Sequence, residues 1–443
     1  MNMGDMREER ELDKLVEERE NELIEYLSEL VKIPTFVPPG ENYGEIIDWL
    51  IPKFNDLGFR CERIELPQDV VHRIQDDTEG LSGKRVNLLA VKDSGSGSGS
   101  SSGAKETLDI YTHLDVVPAG EGWSTPPFLT VRKGNRIYGR GVADSKGSVA
   151  ALLIALSIME ELDLHSRYNL RVALTTDEEI GLYSGLCYFA DEGLLKGDYL
   201  LCMDGDNEGI CIATNGVMNW EIRVNGKSCH SSTPFLGVNA IERAKLVIDE
   251  LERLKEQVES RESEVPCSPL MTQITGQKHI KPVFNLTMIS GGVKENIIPP
   301  SCTLRGDRRY IPEENETEVV KELEEVLQRL KLEHEHEYAH ELDFELQCHP
   351  GFPPMYTSPD TDWVKEVQVA ASTAFGSHKP ITGVQGGLDV AYAVQKTKQP
   401  VCAFGVGSSM ESNAHGADEN IRIEDLRNYV KFLVMLLHAR VRE

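Results

Sequence analysis

Residues 173–182 read ALTTDEEIGL, placing three carboxylates side by side at Asp177, Glu178 and Glu179. They follow an apolar run, YNLRVALTT, with the character of a strand entering a core. Adjacent like charges in a half-buried place raise each other's pKa, so such a run needs a neutralising neighbour. Other segments carry similar chemistry: YTHLDVVPAG brings His113 and Asp115, YGRGVADSKG brings Asp144, LLCMDGDNEG brings Asp204, and SNAHGADENI brings His415. Taken singly, each has a plain structural explanation. An H-x-D pair is usually a surface or capping pair, and an Asp after a strand is usually a turn residue or helix cap. Two histidines and several carboxylates at successive strand ends share no such explanation. Crowded carboxylates must protonate or be neutralised by a cation. A mixed nitrogen and oxygen donor set suits zinc first, with cobalt or manganese as alternatives.

The elements that must hold these residues alternate in type. Strand-like runs recur at RCERIEL, RVNLLAV, LDIYTHL, NLRVALTT and DYLLCMD, with the apolar helix GSVAALLIALSIMEEL over 147–162 between two of them. Periodicity predicts helices over 7–32 and 43–57, the first stopped by the prolines of KIPTFVPPGE. Strands alternating with helices predict an α/β fold with a doubly wound, mainly parallel sheet. Ligands of such sheets gather beyond the C-terminal strand ends, which is where the polar residues fall. From about residue 216 the order changes to β-α-β-β-α-β, the ferredoxin-like pattern of a small inserted domain. The α/β pattern resumes afterwards, with helices over 360–375 and 424–441. We therefore divide the chain into a larger domain over 1–214 and 349–443, which carries the ligand-type residues, and an inserted domain over 215–348. The segment DSGSGSGSSSGAK (93–105) reads as a surface loop without function.

In their order, H-x-D, G-x-x-D, D-E-E, M-D-G-D and A-H-G resemble the co-catalytic dinuclear zinc exopeptidases and amidohydrolases. That family includes glutamate carboxypeptidase, aminoacylase, acetylornithine deacetylase, succinyl-diaminopimelate desuccinylase and the carnosine-type dipeptidases. The resemblance covers nearly the whole chain and makes the larger domain catalytic and the insert a lid or dimerisation domain. It implies that Asp144 bridges two metals, that His113 and Asp204 complete one, and that Glu179 and His415 complete the other. Asp115 would orient His113 through its second ring nitrogen. A cis peptide at Asp144–Ser145 is a further family expectation. Glu178 would be the general base that takes a proton from the attacking water. On the lid, GKSCHSSTP places His230 where the family stabilises the oxyanion, often across a dimer, and ENIIPPSCTLRGDRR supplies Asn296 and Arg309. Arg309 could equally be structural. VQGGLDVAYA matches the family's Gly-Gly-x-Asp loop, so the N–H groups of Gly386 and Gly387 would receive a substrate carboxylate. Leu388 replaces the small hydroxyl residue usual there, which alters the polarity of the pocket.

Length, charge and cysteine usage bound the function. A chain of 443 residues with 40% hydrophobic and 27% charged residues is long and apolar enough for a globular protein of two or three domains. A formal net charge of −27 argues against nucleic acid and against an anionic membrane surface as partners. No apolar run approaches the length of a membrane helix, and the acidic N-terminus lacks signal-peptide character. Nine cysteines without a C-x-x-C pair suit a reducing compartment, so a cytoplasmic protein is expected. His334, His336 and His340, interleaved with glutamates, read as a solvated stretch, and Cys229 beside His230 as no thiol nucleophile.

The leading expectation is a metal-dependent hydrolase that cuts an amide bond in a small carboxylate-bearing substrate. A dipeptidase or carboxypeptidase competes with an N-acyl amino acid deacylase of the acetylornithine or succinyl-diaminopimelate type. Aspartate at position 204 leans to the peptidases, whereas the lid motifs lean to the deacylases. A homodimer joined through the lid is a family expectation. A catalytically silent binding relative is the remote alternative, disfavoured because all five ligands and Glu178 are present. A purely structural metal site is disfavoured too, because five ligands shared by two metals leave coordination open.

Overall fold

The computed structural model describes residues 3–93, 105–181, 183–334 and 342–438; His336, His340 and nearly all of the Ser/Gly-rich segment lie outside them. A central sheet runs in the order Arg60–Glu65, Val86–Lys92, Asn169–Thr175, Thr107–His113, Tyr199–Cys202, Val401–Ala403, Ile210–Thr214, Met355–Tyr356, and Ile381–Val384 also pairs with Ile210–Thr214. The middle four strands, Asn169–Thr175 to Val401–Ala403, are parallel, while the margins are largely antiparallel. The fold is therefore α/β with a mainly parallel centre and an antiparallel border.

Alternation along the strands explains why helices cover both faces. Leu88 and Ala90 point into one core, and Leu89 with Val91 into another. The larger core is built from the helices Glu20–Lys32, Tyr43–Asp56, Lys146–Glu161, Asp362–Ala374 and Ile423–His438. The smaller one takes Leu186–Asp191 and Asp389–Thr397. Lys146–Glu161 is apolar on every side and buried for most of its length, as expected of a helix wedged between a sheet and other helices. The helix predicted over 7–32 is two, Met3–Glu18 and Glu20–Lys32, because Arg19 leaves helical geometry at φ −96° and ψ 8°. The short strand Ile210–Thr214 and the helix Asp389–Thr397 are elements that periodicity did not reveal.

The inserted domain has the expected order: Gly216–Asn225, Ala240–Glu259, Val283–Gly291, Ser301–Tyr310, Glu316–His334 and Asp343–Pro350. Its four strands pair antiparallel, in the order Val283–Gly291, Ser301–Tyr310, Gly216–Asn225, Asp343–Pro350. Trp220, Ile222 and Val224 alternate inward against both helices. One part of 215–348 does not belong to this lid. After Ala240–Glu259, Val265, Cys267 and Ile280 join the larger core of the catalytic domain. The Gly383 N–H donates to the Pro266 carbonyl at 2.8 Å, so the segment docks beside Ile381–Val384. Apolar side chains that the small lid sheet cannot cover are buried on the larger domain instead.

Candidate dinuclear metal centre

The ligand-type residues expected from sequence converge at the C-terminal ends of the parallel strands. His113 ends Thr107–His113, Glu178 and Glu179 form a short turn of helix after Asn169–Thr175, and Asp204 follows Tyr199–Cys202. Asp144 stands just ahead of Lys146–Glu161, and the Asp144–Ser145 peptide is cis. His415 arrives on a loop near the C-terminal end of the chain, in the left-handed region at φ 63°.

Asp144 faces both histidines, one with each oxygen. Its Oδ1 lies 3.1 Å from His113 Nε2 and its Oδ2 lies 3.0 Å from His415 Nε2. His415 Nε2 is also 2.9 Å from Glu179 Oε2, and His113 Nε2 is 3.9 Å from Asp204 Oδ1. Donor atoms of His113, Asp144 and Glu179 lie within 4.8 Å of one another, as do those of His113, Glu178 and Asp204. Glu178 therefore projects into the same space as the ligand set.

The electrostatics describe a site in need of positive charge. Burial, and then the Asp204 charge, push Glu178 well above the usual carboxylate range. Burial raises Glu179 and carries Asp204 up to about 6. Asp144 moves the other way: burial would raise it, but the two histidines hold it low. His415 is pushed up to about 10 by Asp144 and Glu179, and His113, despite its burial, is raised by Asp115 and Asp144. In this state the histidines act as the cations for the carboxylates. Glu179 Oε1 is nevertheless buried without a hydrogen-bond donor. An acceptor of that kind, among two imidazoles and several carboxylates, fits a pair of divalent ions.

Neighbouring residues hold the ligands in place. His113 Nδ1 meets the main-chain carbonyl of Asp115 at 3.0 Å, while the nearer Asp115 carboxylate oxygen is 3.7 Å away. The Asp115 carbonyl is thus the nearer partner of His113, and the second carboxylate oxygen of Asp115, Oδ2, accepts from the Glu179 N–H at 3.1 Å. Asp177, the third carboxylate of the run, turns away into the core at φ 68°. There it pairs with Arg85 at 3.0 Å, both side chains wholly buried, and accepts from Tyr43 Oη at 2.7 Å and from Ser184 Oγ. Glu419 is likewise buried, and its carboxylate accepts from Arg140 and from the N–H groups of Gly141, Ala143 and Asp144. Sequence reasoning missed both groups. Arg85 and Glu419 are lone charges beside stronger motifs, and most of Glu419's partners are backbone.

Substrate-facing candidates fall into two groups. A Cβ on Gly387 would lie 2.7 Å from Val217 Cγ2 and 3.9 Å from Arg309 Nη1, so Arg309 reaches from the lid to the Gly386–Gly387 loop and a side chain at Gly387 would have to displace Val217. Arg309 Nε donates to Asp307 at 2.8 Å. The next residues are fixed by Asp389, which accepts from Tyr111 Oη at 2.6 Å. His230 and Asn296 lie together in an exposed part of the lid, where the Ser231 N–H donates to the Asn296 carbonyl and His230 Nδ1 accepts from the Ser232 N–H. They are not among the residues gathered around Asp144. Beside Asp144 and Asp204 opens a cleft of about 280 Å³ whose wall includes Ser268, Thr382, Leu388 and Ser408. Ser268 comes from the segment that leaves the lid to dock on the catalytic domain.

The profile of peptidase family M20/M25/M40 matches residues 110–439. The chain belongs to that family. Among its curated relatives, an uncharacterised metallohydrolase of Methanococcus maripaludis is 27% identical, over 92% of this chain and 96% of the relative. A probable succinyl-diaminopimelate desuccinylase of Staphylococcus aureus is 27% identical, over 66% and 69%. Two solved structures share the fold of this M20 chain. One is the aminopeptidase PepT of Bacillus cereus, with TM-score 0.70, 18% identity, and coverage of 95% of this chain and 98% of that one. The other is a dinuclear metal-binding M20 peptidase of Bacillus subtilis, with TM-score 0.63, 15% identity, and coverage of 96% and 100%. Family M20 members are metal-dependent hydrolases, and this member carries a candidate acidic and histidine metal site.

Proposed function

We propose that this M20 protein hydrolyses the amide bond of a dipeptide or similar small peptide that ends in a carboxylate, using two divalent ions. The observation that carries the reading is the Asp144 carboxylate shared between His113 and His415, with Glu178 beside the set. Zinc suits the donors best, with cobalt and manganese next. His113, Asp144 and Asp204 would hold one ion, and Asp144, Glu179 and His415 the other; such ions, when bound, would supply Lewis acidity to the scissile carbonyl and to the attacking water.

The remaining work falls to the chain. Glu178 accepts a proton from the attacking water and returns it to the leaving amine. Its environment, which raises its affinity for a proton, suits that shuttle. The N–H groups of Gly386 and Gly387 receive the substrate carboxylate, with Arg309 alongside. His230 supplies a donor to the oxyanion once the lid closes or a second copy presents it. A homodimer would use the lid edge strand Val283–Gly291, where Met288 and Ile289 are 60% and 59% exposed and Val293 beyond it 82%. Nine free cysteines fit a cytoplasmic setting.

A deacylase is the second reading, favoured by the relatives named as probable succinyl-diaminopimelate desuccinylases. Metal-loaded and chelated protein, incubated with dipeptides and N-acyl amino acids and followed by mass spectrometry, separates the two. Metal-dependent release of free amino acids from dipeptides is expected. Turnover of acyl amino acids alone would overturn the peptidase reading, and no turnover with two ions bound would point to a binding protein.

A further inference from the structure

We propose that Arg140 and Glu419 form a positioning pair that locks the loop carrying Asp144 to the loop carrying His415, and thereby sets the affinity of the one metal position that needs both. The inference rests on the metal assignment above. Glu419 lies four residues beyond His415, and its side chain is fully buried, as is that of Arg140. Glu419 Oε1 accepts from the N–H groups of Ala143 at 2.9 Å and Asp144 at 3.2 Å. Its Oε2 accepts from the Gly141 N–H at 2.9 Å and from Arg140 Nη1 at 2.8 Å. One carboxylate from the His415 loop therefore holds three amides of the Asp144 loop.

Arg140 completes the connection in the opposite direction. Its Nη2 donates to the His415 carbonyl at 3.1 Å, and its guanidinium lies 5.2 Å from the centre of the Trp123 ring. Strand pairing ties the same two regions further back, since Asn420–Arg422 runs antiparallel to Arg136–Tyr138. Asp144 and His415 meet at 3.0 Å across this junction, whereas His113 and Asp204 are carried on the ends of paired sheet strands. Loosening the pair should thus disturb the Asp144–Glu179–His415 position most, because both of its loop ligands lose support, and the His113–Asp144–Asp204 position less, because only Asp144 does. Charge-assisted bonds to a buried carboxylate are strong and geometrically demanding, which suits a positioning role.

The test titrates the full-length metal-free protein with Co(II), following ligand-field absorption and bound cobalt by elemental analysis. Wild type is expected to take two equivalents. Glu419→Gln places an amide nitrogen against backbone N–H groups. It is expected to bind one equivalent within about threefold of wild-type affinity and the other at least tenfold more weakly, with an altered absorption band for the weakened position. Arg140→Lys keeps the charge but not the reach to the His415 carbonyl. It should show the same asymmetry in milder form, and it decides the matter should Glu419→Gln not fold. Two unchanged affinities with a lowered melting temperature would make the pair merely structural. Equal weakening of both positions would overturn the selective coupling. Failure of wild type to bind two equivalents would instead sink the dinuclear reading itself.

Discussion

Each carboxylate of the Asp177–Glu178–Glu179 run answers to a different neighbour. Asp177 pairs with Arg85, Glu179 with His415, and Glu178 stands with His113 and Asp204 as the proposed general base. Glu178→Gln is expected to keep both metals and lose about 10²–10⁴-fold in kcat. Bound-metal analysis beside steady-state rates checks this, and near-wild-type turnover would refute the role. Arg85→Met leaves Asp177 buried without its cation and is expected to cost about 3–5 kcal/mol in urea unfolding. The double variant Arg85→Met with Asp177→Asn should recover part of that loss, because removing both charges is less costly than removing one. The sequence made the gathering of His113, Asp144, Glu178, Glu179, Asp204 and His415 legible because their side-chain types stand at motif spacing after strand-like runs. It did not make Arg85 legible, because nothing local marks it as the partner of a residue so far along the chain. Asp115 shows the same limit at close range: its proximity to His113 was evident, but not that its main-chain carbonyl, at 3.0 Å, lies nearer the ring nitrogen than its carboxylate, at 3.7 Å.

Among the elements, Lys146–Glu161 starts from a lysine inside the protein. Lys146 Nζ donates to the carbonyls of Leu30 at 3.0 Å and Ile33 at 2.8 Å, closing the C-terminal end of Glu20–Lys32. Burial pulls its pKa down to about 7, with Glu419 and Asp115 pulling the other way. Between that value and the ordinary lysine pKa near 10.5, the unfolded chain binds more protons than the folded one, so stability contributed at this site rises with pH. Wild type should therefore gain on Lys146→Met by up to about 2.7 kcal/mol between pH 7 and pH 9, at 1.36 kcal/mol per unit. Parallel denaturant curves at the two pH values measure the difference, and a constant gap would show that the lysine keeps its charge when buried. Helices and strands of this kind were foreseeable from period and composition. Arg19 breaks the first helix without a proline or glycine to announce it, and Ile210–Thr214 is too short for alternation to register.

At the scale of the whole molecule, metal and fold are coupled. A centre drawing ligands from three strand ends and two loops binds ions only in the folded state, so stripping the ions with a chelator is expected to lower the melting temperature as well as abolish turnover. Ions at 100 times their dissociation constant would contribute about 2.7 kcal/mol per independent site. Calorimetry with and without metal checks this, and an unchanged transition would argue that the site is not occupied in solution. The two-domain plan was legible because the β-α-β-β-α-β order of the insert interrupts the α/β alternation. Its boundary was not, since apolar residues at 265, 267 and 280 look the same whichever core they enter.

That docked segment makes the two domains inseparable by simple excision. A deletion from Gly216 to Pro350 would take the lid away, but it would also pull Val265, Cys267 and Ile280 out of the catalytic core and leave voids behind. Anyone wishing to express the catalytic half alone would have to graft residues 262–281 back onto the edge of Ile381–Val384. The bond between Pro266 and Gly383 ties the segment between Ala240–Glu259 and Val283–Gly291 to the catalytic sheet, beside the chain crossings at either end of the lid. With Ser268 on the wall of the cleft, one side of the space where a substrate would lie is built from a segment that interrupts the lid in sequence.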